Sequence, residues 1–149
     1  MAFTDFERRW IVAIMSAFTT PEGELTVADG EADYVYAAEV MAAGSRLKAR
    51  VGLRVAVWVV ALAPAWALGR AQTLDELPAA GRTELIARLL DHRAYLVRGL
   101  ATLLKLTATL AMMRSPAVRA RSGYDRAADA RSPSTRRALP LVTSQGVMT

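Results

Sequence analysis

The stretch AAGRTELIARLLDHRAYLVRGLATLLKLTATLAMM, residues 79–113, shows the clearest periodicity in this chain of 149 residues. Apolar side chains return every three or four positions, which is typical of an amphipathic α-helix rather than of a strand. Arg88, Arg98 and Lys105 lie on the opposite face, so one side is expected to face a core and the other side water or a partner. The apolar positions are Leu85, Ile86, Leu89, Leu90, Leu96, Val97, Leu100, Leu103, Leu104, Leu110 and Ala111.

The length of this segment leaves two interpretations open. One continuous helix of 35 residues would be about 50 Å long. A bend at Gly99 or a break near His92 would divide it into shorter helices.

The N-terminal third of the chain predicts two helices. Thr4 and Glu7 match the S/T-x-x-E capping box that opens a first helix, and Pro21 and Gly23 are expected to end it. After a polar loop over residues 21–30, a second apolar series ends at Gly44. The expected inner face of the first helix is Phe6, Trp10, Ala13, Ile14, Ala17 and Phe18; that of the second is Tyr34, Val35, Ala38, Met41 and Ala42.

A third helix is expected to begin with Ser45 as its cap and to end or kink at Pro64. Residues 55–62 are apolar all round, which predicts a helix buried on most sides. Thr73 and Glu76 then form a second capping box before the long periodic segment.

The C-terminal end predicts a short helix followed by an irregular tail. Pro116 suits the first turn of a helix, and Gly123 is the expected terminator. Beyond Gly123 the composition cannot form a core, although residues 139–142 are apolar enough to dock as an extended segment. The sequence therefore predicts an all-α fold: an irregular bundle of about five helices over residues 1–124, with an extended tail over residues 125–149 that is ordered only on a partner.

The amino-acid composition excludes most kinds of catalytic site. The chain has no cysteine, which excludes disulfides, thiolate metal sites and cysteine nucleophiles, and its one histidine, His92, excludes sites that need two imidazoles. Neither a Glu-x-x-His pair nor a glycine-rich nucleotide-binding motif occurs. We therefore expect a noncatalytic chain that binds no cofactor or metal of its own.

Charge and hydropathy bear on partners and location. Residues 1–44 carry a net charge of −6, residues 45–113 carry +6, and residues 114–149 carry +5. The 15 uncharged residues from Val55 to Gly69 are fewer than the roughly 20 that cross a bilayer, and Lys105 interrupts the second apolar run. Since we also identify no signal peptide, the expected location is cytoplasmic or peripheral to a membrane.

A narrow bundle cannot bury both residues 55–68 and the leucine-rich face of residues 79–113, so a second surface is expected to cover part of them. Another subunit is the first interpretation. A membrane surface beside residues 55–68, flanked by Arg54 and Arg70, is the second. Nucleic-acid binding through the C-terminal arginines is a weaker alternative, because no aromatic residues are interleaved with them, and no nucleic-acid partner is expected.

The stretch from Leu53 to Asp125, about half of the chain, resembles the small helical component of glucose-methanol-choline (GMC) flavoprotein oxidoreductases. That component occurs as subunit 3 of gluconate 2-dehydrogenase and as the helical region before the flavin domain of long-chain alcohol oxidases. The residues that carry the resemblance are Leu53-Arg54 with Trp58, Leu62-Ala63-Pro64, Leu74-x-x-Leu77 with Arg82, Leu89 to Tyr95, and the run from Arg114 to Tyr124.

The resemblance implies a noncatalytic small subunit that binds and stabilises a larger FAD-dependent dehydrogenase or oxidase acting on alcohols, sterols or sugars. FAD would then belong to the partner. Exported relatives carry a twin-arginine leader, whereas Arg8 and Arg9 lie within the first helix here, which favours the cytoplasmic or membrane-associated side of the family. The expected partner-binding residues are Trp58, Trp66, Tyr95, Leu103, Met112, Arg114, Arg119, Arg121, Tyr124, Leu139 and Leu141.

Overall fold

Seven α-helices and one 3₁₀ turn make up the described part of this computed structural model, which comprises residues 3–19, 27–28 and 30–123. The predicted all-α fold is confirmed, with seven helices in place of about five. The helices are α1 (Asp5–Ser16), α2 (Tyr34–Gly44), α3 (Leu47–Ala61), α4 (Ala63–Ala67), α5 (Ala79–Leu90), α6 (Tyr95–Arg114) and α7 (Pro116–Ser122), and the 3₁₀ turn is Leu74–Glu76.

The two additional helices arise at breaks. The first is at Leu62, between α3 and α4; Pro64 lies in the first turn of α4, where a missing N–H costs no hydrogen bond. The second divides residues 79–113 into α5 and α6, so the single continuous helix is not observed. At this turn the backbone N–H of Ala94 donates to Nδ1 of His92 (3.1 Å), and Arg98 donates to the His92 carbonyl (3.0 Å).

Helix α6 lies at the centre of the bundle, where α1, α2, α3, α5 and α7 all contact it. Small side chains let these neighbours approach closely, and Leu104 is the largest fully buried side chain of the helix. The hydroxyl of Thr107 is buried but donates to the Leu103 carbonyl (2.9 Å), so it is not left unsatisfied. The buried residues of α6 are Ala101, Leu104, Thr107, Ala108, Ala111 and Met112.

By length and composition, α6 is the one helix among the described residues that could cross a bilayer. A third of its most apolar stretch is buried inside the bundle, and Lys105 lies in its middle. The core helix of a water-soluble protein passes the same test of length and hydropathy, so α6 by itself does not identify a membrane protein.

The predicted inner face of α1 is confirmed in part: Ala13, Ile14 and Ala17 are buried and Trp10 and Phe18 are half-buried, whereas Phe6 is exposed. Ile11 and Met15 are buried as well. Glu7 lies on the same side of the helix as Ile11, Ile14 and Met15, because it precedes them by about one or two helical turns. An acidic residue thus lies within the packed side of α1.

Several predicted helix ends are confirmed. Glu7 accepts a hydrogen bond from the Thr4 backbone N–H (2.8 Å), and Glu76 accepts one from Thr73 (2.7 Å). Pro116 lies in the first turn of α7 as predicted, and Ser115 caps that helix. Gly123 ends α7 with φ +69°, a conformation that favours glycine. Arg46, not Ser45, occupies the N-cap position of α3.

The end of α1 differs from its prediction, and the predicted tail cannot be compared with the structure. Helix α1 ends at Ser16, before the expected terminators Pro21 and Gly23, which lie outside the described residues. Most of the loop over residues 21–30 and the whole of the predicted tail also lie outside them.

Candidate interaction surface

One face of α3, continued by α4, carries exposed apolar side chains that we call the α3–α4 stripe. On α3 they recur every three or four residues and so share one side of the helix. The indole of Trp66 on α4 turns back toward α3 and donates to the Val59 carbonyl (3.3 Å). The members of the stripe are Leu47, Val51, Val55, Trp58, Leu62 and Trp66, with exposures from 38% at Leu62 to 70% at Leu47.

The stripe is exposed because the core uses only the other side of α3. That side packs mainly on α6 and α1. The expectation that residues 55–62 are buried on most sides is therefore wrong: one face is enclosed and the other is open. The buried residues of α3 are Leu53, Ala56, Val57, Val60 and Ala61.

A buried ion pair lies directly beneath the stripe. The carboxylate of Glu7 is fully buried, and Arg54 donates to both of its oxygens at 2.6 Å. Trp58 donates its indole N–H to Oε1 (2.8 Å), while Thr4 donates its backbone N–H and its hydroxyl to Oε2 (2.8 and 2.9 Å). Five hydrogen bonds therefore satisfy the carboxylate, as a buried charge requires.

These donors determine the charge of Glu7. Burial by itself raises the pKa of the carboxyl, but the hydrogen bonds from Arg54, Thr4 and Trp58 favour the ionised form and bring the pKa down from 4.5 to about 2. Glu7 is therefore a carboxylate at neutral pH, and its attraction for Arg54 ties α1 to α3.

Trp58 is the member of the stripe whose position is most firmly set. Its ring meets Phe6 and Trp10 edge to face, with centroids 5.6 and 5.2 Å away, and Phe6 meets Trp10 in the same manner at 5.1 Å. Edge-to-face contacts of this kind are favourable because the positive ring edge meets the negative ring face. With its N–H held by Glu7, Trp58 remains 39% exposed in a fixed orientation.

A cavity of about 400 Å³ adjoins the N-terminal half of the stripe. It lies where the residues before α1 and the end of α2 meet α3. Arg50 joins two of these segments by donating from Nε to the Ala42 carbonyl (2.9 Å). The lining residues are Phe3, Ala42, Arg50, Val51, Arg54, Val55, Trp58 and Val59.

The segment that carries the stripe has charges of one sign. From Val40 to Leu74 the chain has no acidic residue. Glu7 of α1 is paired with Arg54, so after this pairing the segment still carries a positive net charge. The basic residues of this segment are Arg46, Lys48, Arg50, Arg54 and Arg70.

Three of the predicted partner-binding residues are exposed apolar or aromatic side chains. Trp58 and Trp66 belong to the stripe, and Tyr95 is exposed at the start of α6, with the Arg98 guanidinium 5.7 Å from its ring centroid. Leu103 is half-buried and packs against the core, and Met112 is buried within it. The stripe therefore does not include Leu103 or Met112.

The predicted arginines lie elsewhere, at the end of α6 and on α7. Arg114 stacks over the Tyr36 ring at 4.8 Å, and Arg121 forms an ion pair with Glu31. Hydrogen bonds from Arg121 lower the pKa of the Glu31 carboxyl to about 2. Arg119 is half-exposed on α7. The remaining candidates, Tyr124, Leu139 and Leu141, lie outside the described residues.

Sequence reasoning missed the polar support of the surface. The capping box predicts only a capping role for Glu7, although its spacing from Ile11, Ile14 and Met15 already indicates the buried face of α1. The second sequence signal for this polar support is the separation of four residues between Arg54 and Trp58, because it places both side chains on one side of α3.

The chain was compared with protein-family models, with curated proteins and with solved structures, and none of the three comparisons finds a match. The resemblance of residues 53–125 to GMC small subunits thus stays a prediction. Within residues 3–19, 27–28 and 30–123, no group of three or more His, Asp or Glu side chains could hold a metal ion.

We predict that Glu7→Gln lowers the free energy of unfolding by about 3 kcal/mol, because it leaves the Arg54 guanidinium without its counter-ion. Urea unfolding followed by circular dichroism measures the change. The matched control is Glu84→Gln, which removes an exposed pair with Arg88 and should cost less than about 0.5 kcal/mol. Equal effects of the two variants would contradict a structural role for Glu7.

The lowered pKa of Glu7 predicts that the effect of Glu7→Gln on stability depends on pH. Because folding lowers the pKa of Glu7, its contribution to stability is complete above the unfolded value of 4.5 and is lost as the pH falls toward about 2. The stability difference between the unmodified protein and Glu7→Gln should therefore narrow over that range. A difference that stays constant from about pH 5 to pH 2 would show that the folded-state pKa is not lowered.

Proposed function

We propose that this chain is a noncatalytic helical subunit that binds a larger protein through the α3–α4 stripe. The observation that carries the proposal is the exposure of two tryptophans, Trp58 at 39% and Trp66 at 46%, among aliphatic side chains on one face. Tryptophan is strongly enriched among the residues that dominate protein–protein binding energy.

The support beneath Trp58 strengthens this interpretation. A side chain that is already held in its binding orientation loses little conformational entropy when a partner covers it. Glu7, Phe6 and Trp10 hold Trp58 in this way while leaving part of its ring open.

For the identity of the partner, we propose a GMC-type flavoprotein that acts on alcohols, sterols or sugars. This part of the proposal is based on the resemblance of residues 53–125, a range that includes Trp58 and Trp66. The FAD and the catalytic residues would then belong to the larger subunit, and this chain would contribute folding or stability. The complex would lie in the cytoplasm or on a membrane surface.

We predict that the full chain co-elutes with a GMC-type flavoprotein from the same organism when the two are co-expressed, and that Val55→Glu abolishes the co-elution. A carboxylate at this position would have to lose its hydration in the apolar interface, which is costly. Val12→Glu is the matched control, because Val12 is 46% exposed and Val55 44%, but Val12 lies on α1 outside the stripe. Gel filtration with detection of flavin absorbance measures the complex.

Two results would contradict the proposal. Loss of co-elution in both variants would show that the stripe has no particular role. A full chain that is a stable, monodisperse monomer and does not co-elute with the flavoprotein would exclude the subunit function.

A second candidate function is docking on an anionic membrane surface. The absence of acidic residues from Val40 to Leu74, beside exposed tryptophans, favours it. Basic residues attract anionic lipid headgroups, and tryptophan is enriched at the membrane interface. Arg70, which is exposed, would then lie at headgroup level, whereas Arg54 is already paired with Glu7.

If the stripe docks on a membrane, we predict that the full chain floats with vesicles that contain phosphatidylserine and not with vesicles of phosphatidylcholine alone. Attraction to headgroups weakens with salt, so flotation should fall as ionic strength rises. Val55→Glu should abolish it and Val12→Glu should leave it unchanged. Failure of the unmodified chain to float with phosphatidylserine vesicles would exclude this function.

A further inference from the structure

The cavity beside α3 has the dimensions and lining of a small-molecule site. Its volume of about 400 Å³ lies within the usual range of ligand pockets, roughly 300–1,000 Å³. Phe3, Val51 and Val55, with Trp58 and Val59, give it an almost wholly apolar lining. A hydrocarbon group would fill it without leaving a polar atom unsatisfied.

The walls of this cavity are fixed in the absence of a ligand. Trp58 is held by Glu7, and the end of α2 is held by the hydrogen bond from Arg50 to Ala42. Phe3 is buried next to Thr4, which donates twice to Glu7. A preformed cavity binds its ligand at a small cost in conformational entropy.

The charge beside the cavity is positive and only partly compensated. Arg54 is neutralised by Glu7. Arg50 donates from Nε and Nη2 to the carbonyls of Ala42 and Ser45, and within the described residues its Nη1 has no hydrogen-bond partner and the guanidinium has no carboxylate partner. An anionic group at the rim would supply that missing partner.

The first turn of α3 adds to this positive charge. Arg46 and Lys48 lie where the helix dipole disfavours cations, and no acidic residue accompanies them. An anion bound near this end of α3 would relieve the unfavourable arrangement. The apolar lining and the basic rim together therefore fit a molecule with a hydrocarbon chain and a negative head.

We propose that this cavity binds the hydrocarbon chain of an anionic amphiphile of the fatty-acid class, with the carboxylate beside Arg50. The cavity is complete within this chain, so the proposal does not depend on the partner protein. The two can fail separately, because the ligand experiment contains no second protein.

Isothermal titration calorimetry of the full chain with decanoate, below its micelle concentration, tests the proposal. We expect saturable binding of one decanoate per chain. Decyltrimethylammonium, which has the same tail and a positive head, should bind about tenfold more weakly because it cannot accept hydrogen bonds from Arg50.

Variants separate the tail site from the head site. Val55→Trp should fill the cavity and weaken decanoate binding at least about tenfold, whereas Val12→Trp, at a similarly exposed position on α1, should not change it. Val51→Trp gives a second, independent block, and circular dichroism checks the fold of each variant. Arg50→Gln should remove the preference for decanoate over decyltrimethylammonium, and Arg50→Lys should retain it.

Three outcomes would overturn the proposal. The first is no saturable binding of decanoate, and the second is equal weakening by Val55→Trp and Val12→Trp. The third is equal affinity for decanoate and decyltrimethylammonium, which would exclude an anionic ligand.

Discussion

The buried ion pair between Glu7 and Arg54 is the interaction on which the described surface depends. It joins α1 to α3 across 47 residues of sequence, and its carboxylate also orients Trp58 and secures the residues before α1. Removing a carboxylate from water is costly, and five hydrogen bonds offset that cost here. The geometry of the exposed stripe and of the adjoining cavity therefore has a polar origin, although both are lined by apolar side chains.

Local signals in the sequence predict the helix ends well. The capping boxes at Thr4 and Thr73 and the cap at Ser115 depend on side chains within three residues of the backbone that they satisfy. Gly123 ends α7 through its own backbone conformation. Pro64 acts equally locally, because its ring removes an N–H donor. The all-α fold follows from such signals together with the helical spacing of apolar residues.

What the sequence could not predict are the features that depend on distant neighbours. Every residue from Val55 to Leu62, at the end of α3, is apolar, so the pattern has no polar side that would reveal which face meets α6. The inward position of Glu7 likewise depends on Arg54, a residue of another helix. An excess of apolar surface could be predicted from composition. The face that carries it could be identified only from the packing of the helices.

The short segment before α1 has a practical consequence for work with this protein. Phe3 forms part of the cavity wall, and the backbone N–H of Thr4 is one of the donors to Glu7. Trimming the amino terminus as far as these residues, or crowding them with an affinity tag, would therefore change the α3 surface even though no residue of α3 is altered. A recombinant version that keeps residues 1–4 intact is the appropriate material for ligand and partner studies.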